Sequence, residues 1–302
     1  MPKAEIFKSI IKTLEKSDYT VCEYKGCFDI AAKKEKLLLL KVLQNIDSFS
    51  EEQAKNLKII ANNLDAVVIL IGENTTREKL KPGIVYERFE ISAISPETLK
   101  SLITYEIFPK IYRDRGGLYV EIDSDTLKEC RQNKKLTQRE LAEIVGINKK
   151  AIYEHEKCQL RMTLDIAQKL EETLKKKITK PIDIIKGFEH NIETHPKDAL
   201  EKQVGSELRK IGFKIDYVRQ APFDVFAKEK ALVITDVEKD KRKMQKRAGE
   251  LKEFVKTAER PAVMITEKNK EETIKGIPVI QRKELVNMRS KDLIKLARKI
   301  KE

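Results

Sequence analysis

The chain has 302 residues, 40% of them hydrophobic and 37% charged, and its 62 Lys and Arg against 49 Asp and Glu leave a formal net charge of +13. That length suits two or three domains of about 100 residues, and the composition excludes a mainly disordered chain. Four cysteines are too few for a disulfide scaffold, and the longest apolar run, Ala66-Val67-Val68-Ile69-Leu70-Ile71, is roughly a third of a membrane span.

Met1-Pro2-Lys3-Ala4-Glu5 has no apolar signal region, so a soluble, cytoplasmic protein with no membrane partner is expected. The positive charge suits a polyanionic partner, or equally a Lys-rich solvated surface. Cys22, Cys27, Cys130 and Cys158 have no second Cys/His pair at zinc-finger spacing and read as ordinary half-buried thiols. Abundant Lys, Glu and Ile, with three His and no Trp, is similar to hyperthermophile composition.

An apolar-periodic helix over Ile6 to Leu14 opens the chain. Phe28-Asp29-Ile30-Ala31-Ala32-Lys33 and Leu37-Leu38-Leu39-Leu40-Lys41-Val42 follow. At a constant offset of 195 residues stand Phe223-Asp224-Val225-Phe226-Ala227-Lys228 and Leu232-Val233-Ile234-Thr235-Asp236-Val237, again after a periodic helix, Leu200 to Ile211. Each block precedes a charged helix and a buried-type strand, Ala66 to Ile69 or Ala262 to Ile265. A Gly-Ile segment comes next, Gly83-Ile84-Val85 or Gly276-Ile277-Pro278-Val279, then a last helix. Uninterrupted apolar runs suit strands covered on both faces, so two related domains with mixed sheets are expected at the two ends.

Between them the pattern changes to short amphipathic helices, after a hinge expected at Arg115-Gly116-Gly117 and up to Lys180-Pro181. A polar linker runs from Glu189-His190-Asn191 to His195-Pro196. The expected domains are 1–115 (α/β), 120–187 (helical) and 196–302 (α/β, an internal repeat of the first).

The helical segment can be read residue by residue. Thr137 caps a helix and Glu140 completes a capping box; Leu141 and Ala142 point inward; Gly146 supplies a left-handed turn. Asn148 caps the next helix, Ile152 anchors its buried face, and Leu164, Ala167 and Leu170 close the bundle. Leu127 to about Pro181 resembles the helix-turn-helix of the Cro and lambda-repressor type (the XRE family). The layout as a whole resembles an archaeal family of HTH-type transcriptional regulatory proteins with a central Cro-type domain. That resemblance implies a central five-helix domain whose second motif helix enters the major groove of a double-stranded DNA operator, and hence regulation of transcription.

Asn148 would begin that helix, with Lys149, Lys150, Tyr153 and Glu154 on its exposed face. The lysines could reach guanine or phosphate, and Glu154 could accept from cytosine. Gln138, Arg131 and Lys135 are the candidates for the DNA backbone, while Glu156 is expected to brace the bundle. One such helix reads half an operator, so a homodimer is expected. No cofactor is expected, and whether a small effector binds is left open.

Phe-Asp-Ile/Val followed by an apolar strand resembles the restriction-endonuclease-like fold in a degenerate form. Catalysis there needs an acid, then acid-x-Lys on the next strand, to hold Mg²⁺. Asp29 and Lys41 fit, but the second acid falls on Leu39. The second repeat offers Asp224, Asp236 and Glu238, the last two on one strand face if the strand extends that far. These three are the candidate metal ligands of an alternative function, a metal-dependent DNA endonuclease; otherwise no catalytic residue is assigned. Lys239 to Arg247 is a basic run, either a phosphate contact or a solvated helix face.

Overall fold

The computed structural model describes residues 3–158, 160–185, 192–267 and 271–300, so Glu189-His190-Asn191 of the expected linker, and the boundary at 187, lie outside the described residues. Contacts divide the chain into two compact units. One comprises Met1–Ile6, Leu43–Ser48 and Leu70–Ile184; the other comprises Phe7–Val42, Phe49–Ile69 and Ile185–Glu302.

In chain order the first α/β region contains α1 (Lys3–Glu15), β1 (Thr20–Glu23), β2 (Ile30–Lys33), β3 (Leu37–Asn45), α2 (Glu51–Leu64), β4 (Val67–Asn74), β5 (Ile84–Arg88), β6 (Ile91–Ile94) and α3 (Pro96–Tyr105). The middle region contains β7 (Ile111–Asp114), β8 (Gly117–Ile122), α4 (Ser124–Asn133), α5 (Gln138–Val145), α6 (Lys149–Glu156), β9 (Met162–Thr163), α7 (Leu164–Leu174) and β10 (Thr179–Lys180). The last region contains α8 (Ala199–Lys210), β11 (Lys214–Tyr217), β12 (Val225–Lys228), β13 (Leu232–Val237), α9 (Lys241–Ala258), β14 (Ala262–Thr266), β15 (Thr273–Ile274), β16 (Ile277–Gln281), α10 (Arg282–Leu285) and α11 (Ser290–Ala297).

The two α/β regions share one succession of pairings. β1–β2–β3 and β11–β12–β13 are antiparallel meanders. β4–β6 and β14–β16 are parallel, and β5 and β15 each turn back antiparallel on the strand that follows. This corrects one equivalence: the counterpart of Ile277 to Val279 is β6, not Gly83-Ile84-Val85. The two-residue turns settle the alignment. Phe89-Glu90 and Lys275-Gly276 both hold positive φ at both positions, as the tightest hairpin turn demands. Only one of the four residues is glycine, so the glycine pattern pointed to the wrong strand.

Within the second unit the repeats exchange helices. α9 packs against β1 and β2, while Asn63 of α2 donates to Asp216 of β11 at 3.0 Å. Phe254 of α9 lies between Phe28 and Phe223, the paired phenylalanines of the repeat, with ring centroids 5.4 and 5.2 Å away. Cys27 N–H donates to Gln220 O at 2.7 Å, and a Cβ on Gly26 would stand 2.1 Å from that oxygen, so this approach requires glycine. The Cys27 thiol is buried here and pushed up to about 12 by that burial, which makes it a packing group.

In the first unit β5 pairs with β7 and β7 with β8, so Arg115-Gly116 is the tip of a hairpin and not the expected hinge. β8 also pairs with β9 and β10, which ties the helical bundle to this hairpin. The bundle core is Leu127, Leu141, Ala142, Val145, Ile152, Ala167 and Leu170, with Val120 of β8 and Met162 of β9 among them. The expected five-helix arrangement is corrected: four helices, α4 to α7, occur between residues 120 and 185 among the described residues. The chain after α7 turns to β10 because Glu171 Oε1 accepts from Ile178 N–H and Thr179 N–H at 2.9 and 3.0 Å.

Candidate nucleic-acid interface

α5 and α6 are set by their caps. The Thr137 side chain accepts from Glu140 N–H while Glu140 accepts from Thr137 N–H, a reciprocal box that satisfies two otherwise orphaned donors. Gly146 takes φ 78 after α5, and Asn148 Oδ1 accepts from Ala151 N–H at 2.7 Å to open α6. With Ile152 and His155 buried, helical spacing leaves Lys149, Lys150 and Tyr153 outward; Tyr153 is 47% exposed. Lys150 pairs with Glu154 at 3.5 Å, one turn apart, so Glu154 is partly engaged by its own helix. Lys135 is exposed at φ 56, in the turn between α4 and α5.

Two of the expected phosphate contacts are occupied elsewhere. Arg131 is buried, its guanidinium donating to Glu156 at 2.6 and 3.1 Å and to Leu136 O at 2.8 Å. Gln138 Nε2 donates to the same Glu156 at 2.8 Å. Arg131 is therefore a brace between α4, α5 and α6, and its assignment to the DNA backbone is corrected. Gln138 is tethered but still partly exposed at the first turn of α5. Sign and place in the sequence point to Glu156 as a brace, whereas helical spacing alone does not turn its partner Arg131 inward. Burial holds the His155 imidazole below its ordinary range, which suits its place under α6.

The α/β regions carry the second candidate site. Asp29 Oδ2 accepts from Val42 N–H at 2.8 Å, and at the offset of 195 Asp224 Oδ2 accepts from Val237 N–H at 3.0 Å. Each acid is thus fixed by the strand beside it in the same way. What faces it differs. Lys41 Nζ stands 3.3 Å from Asp29 and donates to Gly26 O at 2.6 Å. At the matching position the second repeat has Asp236, which is wholly buried. The cations there come from outside the motif: Arg247 of α9 donates to Asp236 at 2.6 Å and lies 3.0 Å from Asp224, and Lys197 lies 2.7 Å from Asp224.

Burial first, and Asp224 second, push the Asp236 carboxyl up to about 8 against the pull of Arg247. Asp236 Oδ2 has no hydrogen-bond partner among the described residues. Glu238 is not a third ligand. β13 ends at Val237, and the Glu238 carboxylate accepts from Lys239 N–H and Asp240 N–H in its own turn at 2.9 and 3.1 Å.

A divalent metal of the kind the restriction-endonuclease-like fold uses does not fit either centre. The first has Leu39 where a second acid is required, and Lys41 engages the one acid present. In the second, a guanidinium and an ammonium occupy the carboxylates that would ligate the ion. No group of three His, Cys, Asp or Glu suited to a metal occurs among the described residues. The basic run from Lys239 also divides: Arg247 turns inward, Lys241 pairs with Glu271 at 2.6 Å, and Arg242 and Lys243 remain exposed. Sequence spacing could not place Arg247 or Lys197, since neither belongs to the strand motif.

Residues 3–109 match the model of the PD-(D/E)XK superfamily domain, and residues 127–180 match the helix-turn-helix model. No solved structure matches the chain. Three archaeal relatives carry the name "Putative HTH-type transcriptional regulatory protein". That of Pyrococcus horikoshii is 35% identical over 284 residues, 91% of this chain and 90% of its own length. That of Thermococcus kodakarensis is 33% identical, covering 100% of this chain and 98% of its own. That of Methanothermobacter thermautotrophicus is 36% identical, covering 88% and 86%. Likeness at this level along nearly the whole of both chains is what the capped helix pair and its flanking repeats lead one to expect, and the chain belongs to this archaeal family of HTH-type transcriptional regulatory proteins.

Proposed function

We propose that the protein binds double-stranded DNA sequence-specifically through α5 and α6 and thereby regulates transcription. The observation that carries this reading is the outer face of α6. Lys149, Lys150 and Tyr153 stand free of the core at the N-terminal half of a helix capped by Asn148 and anchored by Ile152. A helix so presented places short-range donors at base edges and phosphates. Glu154, Lys135 and the first turn of α5 at Gln138 flank it.

Residues 1–115, 120–187 and 196–302 serve as the working domains, the middle one reading DNA. One α6 spans half an operator, so the acting species is a homodimer, working in the cytoplasm where archaeal DNA lies. The matching test is the affinity for duplex DNA across a salt series. Lys149→Ala/Lys150→Ala is expected to weaken binding and to lower the slope of log K against log salt by about 2 per bound protomer. Unchanged affinity and slope would contradict the reading.

The match to the PD-(D/E)XK superfamily keeps a second reading in view, Mg²⁺-dependent DNA cleavage. Leu39 in one centre, and Arg247 with Lys197 in the other, favour a non-enzymatic role in which the retired centres hold the fold together. Duplex cleavage with Mg²⁺ or Mn²⁺ that disappears in Asp224→Ala would reverse that conclusion.

A further inference from the structure

A groove of about 1080 Å³ opens in the last region, lined by the start of β13, the C-terminal turns of α9, the segment entering β14 and the end of the chain. Five cations line it: Lys230, Lys252, Lys256, Arg260 and Arg298. None of the five makes a salt bridge or a side-chain hydrogen bond among the described residues. Other cations of this region, Lys197, Lys210, Arg219, Lys241 and Arg247, are each paired with a carboxylate. Two acids also line the groove, Glu253 and Glu259, and Glu259 is engaged by Lys33 from outside it. Arg260 is partly offset by Glu259, but like charges gathered in one concavity still repel one another, and an anion relieves that repulsion.

The groove is separate from the retired centre. It begins at Leu232, whereas Asp236 is four strand positions away, about 13 Å at about 3.3 Å per residue. Its floor is partly apolar, from Leu232, Val255 and Pro261. No aromatic ring lines it, so it lacks the stacking platform on which single-stranded bases are held. Its volume lies just above the range of small-ligand sites, about 300–1,000 Å³.

We propose that this groove binds a compact organic polyanion bearing two or more phosphoryl groups, and so gives the regulator a small-molecule input. The cations of α9, Lys252 and Lys256, sit one turn apart and grip adjacent phosphoryl groups. Arg260 and Arg298 close on the ligand from the strand entry and the chain end. The site goes beyond DNA reading and does not depend on it.

The test uses the full chain and two probes, inorganic tripolyphosphate and ATP, measured by calorimetry at low salt without divalent cations. Lys252→Ala/Lys256→Ala is the test variant, and alanine preserves the helix. Lys149→Ala/Lys150→Ala controls for anion binding at the DNA-reading face. The expected result is saturable binding of at least one probe, weakened about tenfold or more in the α9 variant and unchanged in the α6 variant. Arg298→Ala, away from any helix interior, should weaken it as well and guards against a folding defect in the first variant. Absence of binding to the wild type would overturn the proposal. So would binding that survives both groove variants, or binding lost only in the α6 variant. A duplex oligonucleotide that displaces the probe from the α6 variant, while failing to bind the α9 variant, would assign the groove to DNA and equally overturn it.

Discussion

The two α/β repeats begin from the same backbone device and end with different chemistry. In both, an acid thirteen residues before a strand N–H accepts a hydrogen bond from it, Asp29 from Val42 and Asp224 from Val237. In the first, the neighbouring strand position supplies its own cation, Lys41, and the charge is balanced within the motif. In the second, that position became Asp236, and the balance is restored by Arg247 from a helix and Lys197 from the segment before another. Backbone geometry persisted while the side-chain solution moved. Buried charge must be compensated, but any element within reach can compensate it.

This contrast can be broken most forcefully at Arg247. Arg247→Leu leaves the buried Asp236 carboxyl without its guanidinium partner and Asp224 with Lys197 alone, and is expected to cost about 4 kcal/mol, measured by denaturant unfolding. Adding Asp236→Leu should recover most of that loss, because the second change removes the buried carboxyl group that has lost its partner. Failure of the double variant to recover would mean that Arg247 acts through packing. Lys41→Met strips the one acid of the first repeat and should cost less, about 3 kcal/mol, since Asp29 keeps its strand N–H.

The pH dependence sharpens the same comparison. The Asp236 carboxyl is pushed up to about 8 in the folded chain, above its ordinary 3.8. Its contribution is therefore full below the unfolded value and is lost as pH rises through the folded one. Between about pH 5 and pH 8, wild type should lose stability relative to Asp236→Asn. Equal pH profiles for the two proteins would contradict the placement of Asp236. In the helical region the sign is opposite. Glu171 is held at about 2, where the Lys177 ammonium and the Ile178 and Thr179 N–H donors outweigh its burial, so its contribution is lost as pH falls from about 4.5. Glu171→Ala should lower stability by about 2 kcal/mol at neutral pH and by less near pH 3.

Much of this architecture was legible in the sequence. The constant offset between Phe28-Asp29 and Phe223-Asp224 gave the repeat, and Thr137, Glu140, Gly146 and Asn148 gave both motif helices, because caps and turn residues act locally. The less visible features depend on contacts distant in sequence. Arg131 looks solvated until α6 brings Glu156 to it, and Arg247 looks like one member of a basic run until α9 lies over Asp224. The Gly83 alignment failed for a related reason. The tight turn that defines β5 and β6 is made by Phe89 and Glu90, residues with no turn signature. β10 replaced an expected helix because Glu171 captures the backbone of Ile178 and Thr179, a contact that no periodicity reveals.

DNA reading by α6 is tested most directly by selecting bound duplexes from a random pool with wild type and with Lys149→Ala/Lys150→Ala. The expected result is a recovered motif, palindromic if the protein acts as a homodimer, that the double variant no longer enriches. A pool that yields no motif with wild type, or the same motif with both proteins, would contradict sequence reading by the helix that begins after Asn148.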